Sequence, residues 1–279
     1  MNFLGKVIEI LDTGMTEPVL YGWFHILFLV ITAVATVLLC KFFKEGTEKQ
    51  VRTILFVTAV TVIILEIYKQ INYTFSFDGN VITADYQWYA FPWQFCSTPM
   101  YVGLAAALWK KGKIHDSLCA YLASFALFAG VGVMVYPETV FIETIGINIQ
   151  TMICHGSMIS IGVYLLYTGY VKAEHKTAVR AMPVFAVMVA LAVIMNEIAY
   201  ASGLLETEDF NMFFVSPHQE PSLPVYSLIQ GAVPYPWCLI IYIAGFTLAA
   251  YVMVLLAMGL KLIGAAVSKK IATRRASRG

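Results

Sequence analysis

A cysteine lies between two prolines in the segment FPWQFCSTPMY, which covers residues 91–101 and is flanked by apolar stretches. Because Pro99 has no amide hydrogen, a helix that runs through this segment is kinked and leaves the carbonyl of Phe95 free. A helix also begins here, and the positive end of its dipole favours the thiolate form of Cys96 unless the thiol is simply buried in apolar surroundings. Polar neighbours that can donate hydrogen bonds to a developing oxyanion are Gln94, Ser97 and Thr98. These residue types suit nucleophilic acyl transfer, provided that a base lies near the thiol.

Polar and ionisable side chains inside apolar helices are costly in a membrane and are therefore candidates for a site. At about 1.5 Å per residue, those of this chain lie roughly 6–14 Å below the same membrane boundary. This polar layer consists of His25, Glu66, Lys69, Gln70, Cys96, His155, Asn196 and Glu197. Five predicted helices contribute to it, which indicates one buried site. His155 is the candidate base for Cys96 within that site.

Simpler explanations exist for single members of the polar layer. Glu66 and Lys69 share one helix face with Gln70, at spacings of three and four residues, and can neutralise each other as an ion pair. Asn196 can act as a hydrogen-bonding contact between helices, and His25 fits a structural role better than a catalytic one. The convergence of the whole set, rather than any one residue, points to a site.

The chain has five cysteines, and they divide between the two halves of the membrane. Cys96, Cys154 and Cys238 lie in the same half, so that a disulfide between two of them is an alternative to a free thiol at Cys96. Cys40 and Cys119 lie in the other half and are expected to be packing residues. Both alternatives for Cys96 stay open at this stage.

Membrane helices must position these residues. The 279 residues are 59% hydrophobic and 13% charged, with a mean hydropathy of +0.75, whereas soluble domains are about 25% charged. About 20 apolar residues span a bilayer as a helix. The chain contains seven such stretches, at roughly residues 18–40, 53–75, 92–109, 114–136, 147–171, 178–204 and 235–263. The sequence therefore predicts an all-α fold, a polytopic bundle of seven transmembrane helices in a single domain over residues 1–279.

The distribution of charge predicts the orientation of this bundle. Nearly all Lys and Arg residues fall in residues 41–52, 110–113 and 172–180 or follow residue 260. By the positive-inside rule the N-terminus is outside and the C-terminus is cytoplasmic. The basic tail is then an orientation signal and a lipid-surface anchor, so that no nucleic acid partner is expected. Residues 205–234 are the one long connection and form either an outer cap or an exposed loop. Short loops and the lack of eukaryotic trafficking signals favour a bacterial plasma membrane.

Two segments, WYAFPWQFCSTPMY and MICHGSM, resemble the signature segments of the YwaF-type integral membrane family. That family reaches eukaryotes as a transmembrane protein similar to an acyltransferase that remodels polyunsaturated ether phospholipids. It is more distantly similar to the androgen-induced membrane hydrolases, which cleave fatty acid esters with a Thr/His pair. The seven-helix layout agrees along most of the chain. In the acyltransferase branch the nucleophile is a Cys in the proline-flanked motif and its partner is a His on a later helix. The resemblance therefore implies Cys96 as nucleophile and His155 as base.

The first functional hypothesis is an intramembrane thiol enzyme that acts on lipid acyl esters, either as an acyltransferase or as a hydrolase. In this interpretation Asn196 or Glu66 orients His155 while the polar neighbours of Cys96 stabilise the oxyanion. No metal or organic cofactor is implied. Membrane lipids serve as both substrate and solvent, and the sequence does not predict an oligomeric state.

Two further hypotheses use the same residues differently. In a transporter or receptor, Glu66, Lys69 and Glu197 form a relay for a solute or a proton, and Pro99 breaks a helix at the binding site. Neither an inverted repeat nor a polar path to the cytoplasmic face supports this hypothesis. In a membrane scaffold, the polar layer contributes only packing contacts, and substitutions within it change stability rather than activity.

Overall fold

The computed structural model describes residues 3–137, 139–220, 224–230 and 232–276. Most of them are helical. The α-helices, in chain order, are α1 Phe3–Leu11, α2 Trp23–Phe42, α3 Glu48–Asn72, α4 Thr98–Leu108, α5 Lys113–Tyr121, α6 Leu127–Val135, α7 Ile145–Tyr167, α8 Lys176–Ala201, α9 Pro224–Ile229 and α10 Tyr235–Ala276. A π-helical segment, Leu122–Ala126, joins α5 to α6 in one continuous rod. Single 3-10 turns lie at Trp88–Ala90, Leu204–Glu206 and Met212–Phe214.

Six of the described helices are long and apolar enough to cross a membrane. They are Trp23–Phe42, Glu48–Asn72, Lys113–Val135, Ile145–Tyr167, Lys176–Ala201 and Tyr235–Lys270. The third predicted span, residues 92–109, forms a helix only over Thr98–Leu108. Its 11 residues reach about 16 Å, roughly half the hydrocarbon thickness.

Pro99 explains why α4 is short. The proline occupies the first turn of α4 instead of kinking a longer helix. The first-turn amides of a helix have no intrahelical acceptor, so that proline loses nothing at this position. Residues 91–97 consequently form turns at membrane depth, and such irregular backbone is tolerated where protein surrounds it.

The rod α5–α6 and helix α7 form the centre of the bundle. Fully buried aromatic residues along the rod include Tyr121 and Phe125. Helix α7 packs against α2, α3 and α6. Gly130 allows α6 to approach α7 closely, because a Cβ at this position would lie 2.7 Å from the carbonyl oxygen of His155. Small residues at such crossings are typical of membrane helix packing, which lacks a hydrophobic driving force between helices.

The two ends of the bundle differ in charge. The basic end comprises the connections 43–47, 109–112 and 168–175 together with the C-terminal part of α10. The acidic end comprises α1, the connections 73–97 and 136–144, and the long connection after α8. A two-stranded antiparallel sheet, β1 Phe75–Phe77 and β2 Ile82–Ala84, also lies at the acidic end, and the sequence did not predict it. Its turn is held by Asp78, whose carboxylate accepts hydrogen bonds from the amides of Asn80 and Val81, both at 2.8 Å.

The long connection after α8 inserts its middle part into the acidic end of the bundle. Residues 210–216, which we call the plug, have most of their side chains buried, and Met212, Phe213 and Val215 are fully enclosed. Phe213 and Phe214 adopt left-handed backbone conformations with φ of 58° and 57°, which are uncommon for bulky residues. Of the two sequence alternatives for residues 205–234, the plug therefore forms a cap, whereas Glu206 and Pro217, on either side of it, are exposed.

Candidate functional site

Cys96 lies in the turn that leads into α4. The amides of Ser97 and Thr98 donate to the carbonyl of Gln94 at 2.9 and 3.1 Å, and these bonds close the turn around Cys96. The Cys96 side chain is partly buried. The side chain of Ser97, the next residue in the turn, is buried. Its role as an oxyanion donor stays a prediction.

Thr98 has a different role from the predicted one. Its hydroxyl donates to the carbonyl of Phe95 at 3.1 Å and lies 3.0 Å from the hydroxyl of Tyr121. The carbonyl that Pro99 was expected to leave free is therefore satisfied. Because the single hydroxyl hydrogen of Thr98 is used in this bond, Thr98 does not serve as an oxyanion donor in this arrangement. The sequence missed Tyr121, which is fully buried in the central rod.

Helix α7 contacts the cysteine turn through Cys154, whose thiol lies 3.7 Å from the carbonyl oxygen of Cys96. The next residue, His155, is buried, with 4% of its surface exposed. Its Nδ1 lies 2.7 Å from the carbonyl oxygen of Thr151. A carbonyl only accepts hydrogen bonds, so that Nδ1 carries the hydrogen and Nε2 carries the lone pair. His155 thus carries a basic nitrogen on the helix that contacts the turn of Cys96.

The Nε2 atom of His155 has no hydrogen-bond partner among the described residues. No hydrogen bond therefore joins the Cys96 thiol to His155 in this structure. Nucleophile and base commonly approach each other only when substrate binds, since catalytic hydrogen bonds are often long in unliganded enzymes. A buried polar atom without a partner costs about 1–3 kcal/mol, and such an atom at this position needs an explanation.

The predicted ion pair in α3 is present, and it reaches α7. Lys69 Nζ lies 2.7 Å from Glu66 Oε1, and Gln70 donates to the same oxygen at 2.8 Å. The other carboxylate oxygen of Glu66 accepts from Gln150 at 3.3 Å. Gln150 thus joins the ion pair to α7, the helix that carries His155 and contacts the cysteine turn. The ion pair therefore belongs to the same site as the cysteine turn and His155.

Two members of this cluster were not predicted from the sequence. Gln150 is buried on α7. Its side-chain oxygen Oε1 lies 3.5 Å from the hydroxyl of Thr151, and the backbone carbonyl of Thr151 is the partner of His155. Tyr86 donates to Gln70 at 2.6 Å from the connection after the sheet. Asn196 was predicted because it is an amide side chain inside an apolar stretch. The same criterion would also have identified Gln150. The backbone carbonyl of Thr151 orients His155. Glu66 reaches Thr151 only indirectly, through the side chain of Gln150.

Gln94 and Asn196 hold the plug and do not contact His155. The Asn196 amide donates to the carbonyl of Met212 at 3.1 Å and accepts from its amide at 2.8 Å. Gln94 accepts from the amide of Phe213 and donates to the carbonyl of Asn211, both at 3.1 Å. Asn196 therefore does not orient His155 in this structure, because its amide is bound to the plug. The role of Gln94 as an oxyanion donor stays a prediction, since one hydrogen of its amide group is used by the plug.

Glu197 and His25 also lie outside the Cys96 site. Glu197 is exposed, and its carboxylate lies 3.1 Å from Nε2 of His218, whose ring stacks on Tyr200. His25 is buried, accepts from the amide of Tyr21 at 3.0 Å and contacts the carbonyl of Met134 at 2.9 Å. Both ring nitrogens of His25 are thus used, as a structural role requires. The single polar layer of the sequence prediction divides into separate groups, of which one contains Cys96, His155, Glu66 and Lys69.

The described cysteines are all free, so the disulfide alternative is absent from this structure. Cys238 donates to the carbonyl of Val233 at 3.4 Å, away from Cys96. Cys119 is more than a packing residue, because its sulfur lies 3.5 Å from Nε2 of His115. Within the described part of the chain, no group of three or more His, Cys, Asp or Glu residues is arranged to hold a metal ion.

Two spaces adjoin the Cys96 site. A cavity of about 30 Å³ borders Cys154 and Pro99, and a groove of about 430 Å³ between α3 and α4 contains Glu66 and Gln70. The groove is otherwise mostly apolar, and its wall residue Ile67 is exposed on the outer surface of the bundle. Met100 lines both spaces and separates them.

Replacing Asn196 with alanine should loosen the plug. The amide and carbonyl of Met212 would both lose their partner, and we expect a loss of about 1–3 kcal/mol in the free energy of unfolding. Limited proteolysis within residues 205–220 should accelerate, because the segment opens more often. The control is Asn72→Ala, which removes a more exposed amide at the same end and should change stability by about 0.5 kcal/mol or less. Equal proteolysis rates in the two variants would contradict a role of Asn196 in holding the plug.

Six apolar helices of membrane-spanning length around a buried cluster of ionisable residues define a polytopic helical membrane protein. The family model of the TMEM164 family matches residues 20–257, and the chain belongs to that family. The matched region contains the cysteine turn and α7, and thus the whole Cys96 site. No curated protein and no solved structure matches the chain.

Proposed function

We propose that this protein is a lipid acyltransferase or lipid ester hydrolase in which Cys96 is the nucleophile and His155 the base. The observation that carries this proposal is the buried Nε2 lone pair of His155, which has no partner among the described residues and lies on the helix that contacts the Cys96 turn. The proposed topology has seven passes, counting the α4 segment, with the N-terminus outside a bacterial plasma membrane. The site then lies in the outer half of the bilayer.

The reaction proceeds through a thioester. His155 Nε2 accepts the thiol proton while the Cys96 sulfur attacks the ester carbonyl of a lipid. The carbon–oxygen bond of the ester breaks, and the leaving alcohol takes the proton from His155. A lysolipid hydroxyl or a water molecule then attacks the thioester, loses its proton to His155 and releases the acyl group, after which the thiolate is protonated again. Transfer and hydrolysis differ only in this second nucleophile.

The surroundings of Cys96 support this chemistry. The ion pair of Lys69 and Glu66 supplies charged groups near the site, and the hydroxyl of Ser97, the next residue in the turn, can donate to the oxyanion that forms. The groove beside Glu66 is of a size that takes an acyl chain or part of a headgroup. Met100 must move to connect the groove to the cavity beside Cys154, which makes substrate entry a gated step.

A lipid-like thiol-reactive acyl probe tests the proposal. Cys96→Ser should lower labelling of the purified protein in native lipid by about 10³-fold or more, because the nucleophile is lost. The matched controls are Cys40→Ser and Cys238→Ser, which remove other free thiols and should label like the wild type. Mass spectrometry of the labelled peptide identifies the modified residue. Unchanged labelling of Cys96→Ser, with the fold intact, would refute Cys96 as the nucleophile.

A solute or proton transporter is the second candidate, and one observation favours it. The buried cluster of Glu66, Lys69, Gln70 and Gln150 is the most strongly connected polar group of the site, and it borders the groove directly. Glu197 is not part of this cluster, so the relay of Glu66, Lys69 and Glu197 lacks its third member in this structure. In a transporter, substitutions at the ion pair abolish function while Cys96→Ser is tolerated.

A further inference from the structure

A cavity of about 670 Å³ lies at the basic end of the bundle, beyond the end of α4 and so far from the Cys96 turn. Its polar lining comes from the connection before α5, from α5 itself, from the connection after α7 and from α8. The charged residues that line it are Lys111, Lys113, Lys172, Arg180, Asp116 and Glu174. Its size falls in the range of small-molecule and cofactor sites, which is about 300–1,000 Å³.

The charges around this basic cavity do not balance. Glu174 is engaged by Arg180, whose Nη2 lies 3.2 Å from the carboxylate. Among the residues that the structure describes, Lys111, Lys113 and Lys172 have no carboxylate within salt-bridge distance. Three ammonium groups thus surround a space in which Asp116 is the one remaining carboxylate of the lining. An anionic ligand in this space would reduce their mutual repulsion.

Hydrogen bonds hold one wall of the basic cavity, at Tyr170. His115 is fully buried, and its Nδ1 lies 3.0 Å from the carbonyl oxygen of Ala106. Nδ1 must therefore carry the hydrogen, and Nε2 accepts the hydroxyl hydrogen of Tyr170 at 2.7 Å. The Tyr170 ring is held in place in this way, and the Lys111 ammonium lies 5.4 Å from its centroid. One wall of the cavity and one of its cations are thus positioned in advance of any ligand.

The position of the basic cavity relative to the membrane–water boundary favours a lipid as the source of the anion. Its walls follow the last residues of α4 and α7 and the first residues of α5 and α8. Trp109 and Tyr167, beside these ends, are 50% and 59% exposed, and exposed aromatic residues of this kind mark the membrane–water boundary. Lipid phosphates lie at the same level, and basic pockets between helix ends bind them.

We propose that the basic cavity is a phosphate-binding site that takes the headgroup of an anionic phospholipid, with Lys111, Lys113 and Lys172 as its cationic ligands. The positive-inside rule accounts for basic residues at this end, but it does not account for their convergence on one cavity. Lys41, Lys44 and Lys49 lie at the same end and are not among the residues that line this cavity. The proposal does not depend on the chemistry of Cys96.

The test measures phosphatidylglycerol bound to the full chain in phosphatidylcholine nanodiscs, by native mass spectrometry after release of the complex. The variant is the triple substitution Lys111→Gln, Lys113→Gln and Lys172→Gln. The control is Lys41→Gln, Lys44→Gln and Lys49→Gln, which removes the same charge from the same end. We expect the cavity variant to weaken phosphatidylglycerol binding by about tenfold or more and the control by about twofold or less.

Equal weakening in both variants, or in neither, would overturn the proposal, because binding would then reflect surface charge or other residues. Glycerol 3-phosphate at millimolar concentration separates the two sources of phosphate. If glycerol 3-phosphate does not displace phosphatidylglycerol, the ligand comes from the membrane, as proposed. If it displaces the lipid and its own binding is lost in the cavity variant, the ligand is a free phosphate compound and the lipid proposal is overturned. Should the triple variant not reconstitute, Lys172→Glu replaces it, with Lys44→Glu as control and the same expected contrast.

Discussion

Replacing His155 with glutamine should lower the rate of Cys96 acylation by about 10²–10⁴-fold, the usual contribution of a general base. The glutamine amide can still donate to the carbonyl of Thr151, which His155 Nδ1 contacts at 2.7 Å. It has no basic nitrogen to replace Nε2. The protein should therefore fold while the thiol loses its proton acceptor. Stopped-flow labelling with the acyl probe measures the rate.

The pH dependence separates a base from a structural residue. Hydroxide removes the thiol proton without help at high pH, so that the His155→Gln rate should rise with pH and approach that of the wild type. His25→Gln is the matched control, because His25 is an equally buried histidine whose two nitrogens contact Tyr21 and Met134. We expect this control to lower stability and to leave the acylation rate nearly unchanged. A His155→Gln rate equal to that of the wild type at neutral pH would exclude His155 as the base.

The second large effect concerns the ion pair of α3. Glu66→Leu removes the partner of Lys69, which lies at 2.7 Å and has only 16% of its side chain exposed. We expect a loss of about 3–5 kcal/mol in the free energy of unfolding, because the ammonium stays buried without a counter-charge. Adding Lys69→Met should recover most of this loss, since an apolar pair of similar volume has no charge to bury. Denaturant unfolding in bicelles measures the double-mutant cycle.

The exposed pair Glu174–Arg180 provides the control for this cycle. Each of its side chains is 41% exposed, and a coupling energy of about 1 kcal/mol or less is expected. The double variant of α3 also discriminates between the two candidate functions. If it remains stable and retains Cys96 acylation, Glu66 and Lys69 are structural supports of a thiol enzyme. If it is stable but inactive while Cys96→Ser stays active, the transporter replaces the acyltransferase as the best proposal.

The sequence is enough to predict the membrane helices and, for most of them, the residues at which they begin and end. Apolar runs of about 20 residues have few alternatives to helix in a membrane, since their backbone groups must be satisfied internally. Six of the predicted spans correspond to the helices of membrane-spanning length. The third does not, because Pro99 serves equally well in a kinked helix and in the first turn of a short one. The structure selects the second arrangement, and the turn at Cys96 results from it.

The site was predicted only in part. Depth along a helix can be counted from the sequence, and this count is what grouped the polar residues near one end of the bundle. Their partners cannot be counted in this way, because they depend on how each helix is rotated and on which backbone packs against it. Asn196 bonds to the backbone of Met212, a residue of a long connection whose path no periodicity predicts. Gln150 meets Glu66 only because α3 and α7 cross at that point.

Composition, hydropathy and the charge pattern are enough to identify a polytopic membrane protein, to place nearly all of its membrane helices and to single out a set of polar residues that includes Cys96 and His155. The tertiary structure decided which members of this set lie together, where the plug enters and how three lysines converge on the basic cavity. The physical reason is that hydropathy and charge act on each residue through its depth in the membrane. Hydrogen bonds and ion pairs act over about 3 Å and require the packed geometry of several helices at once.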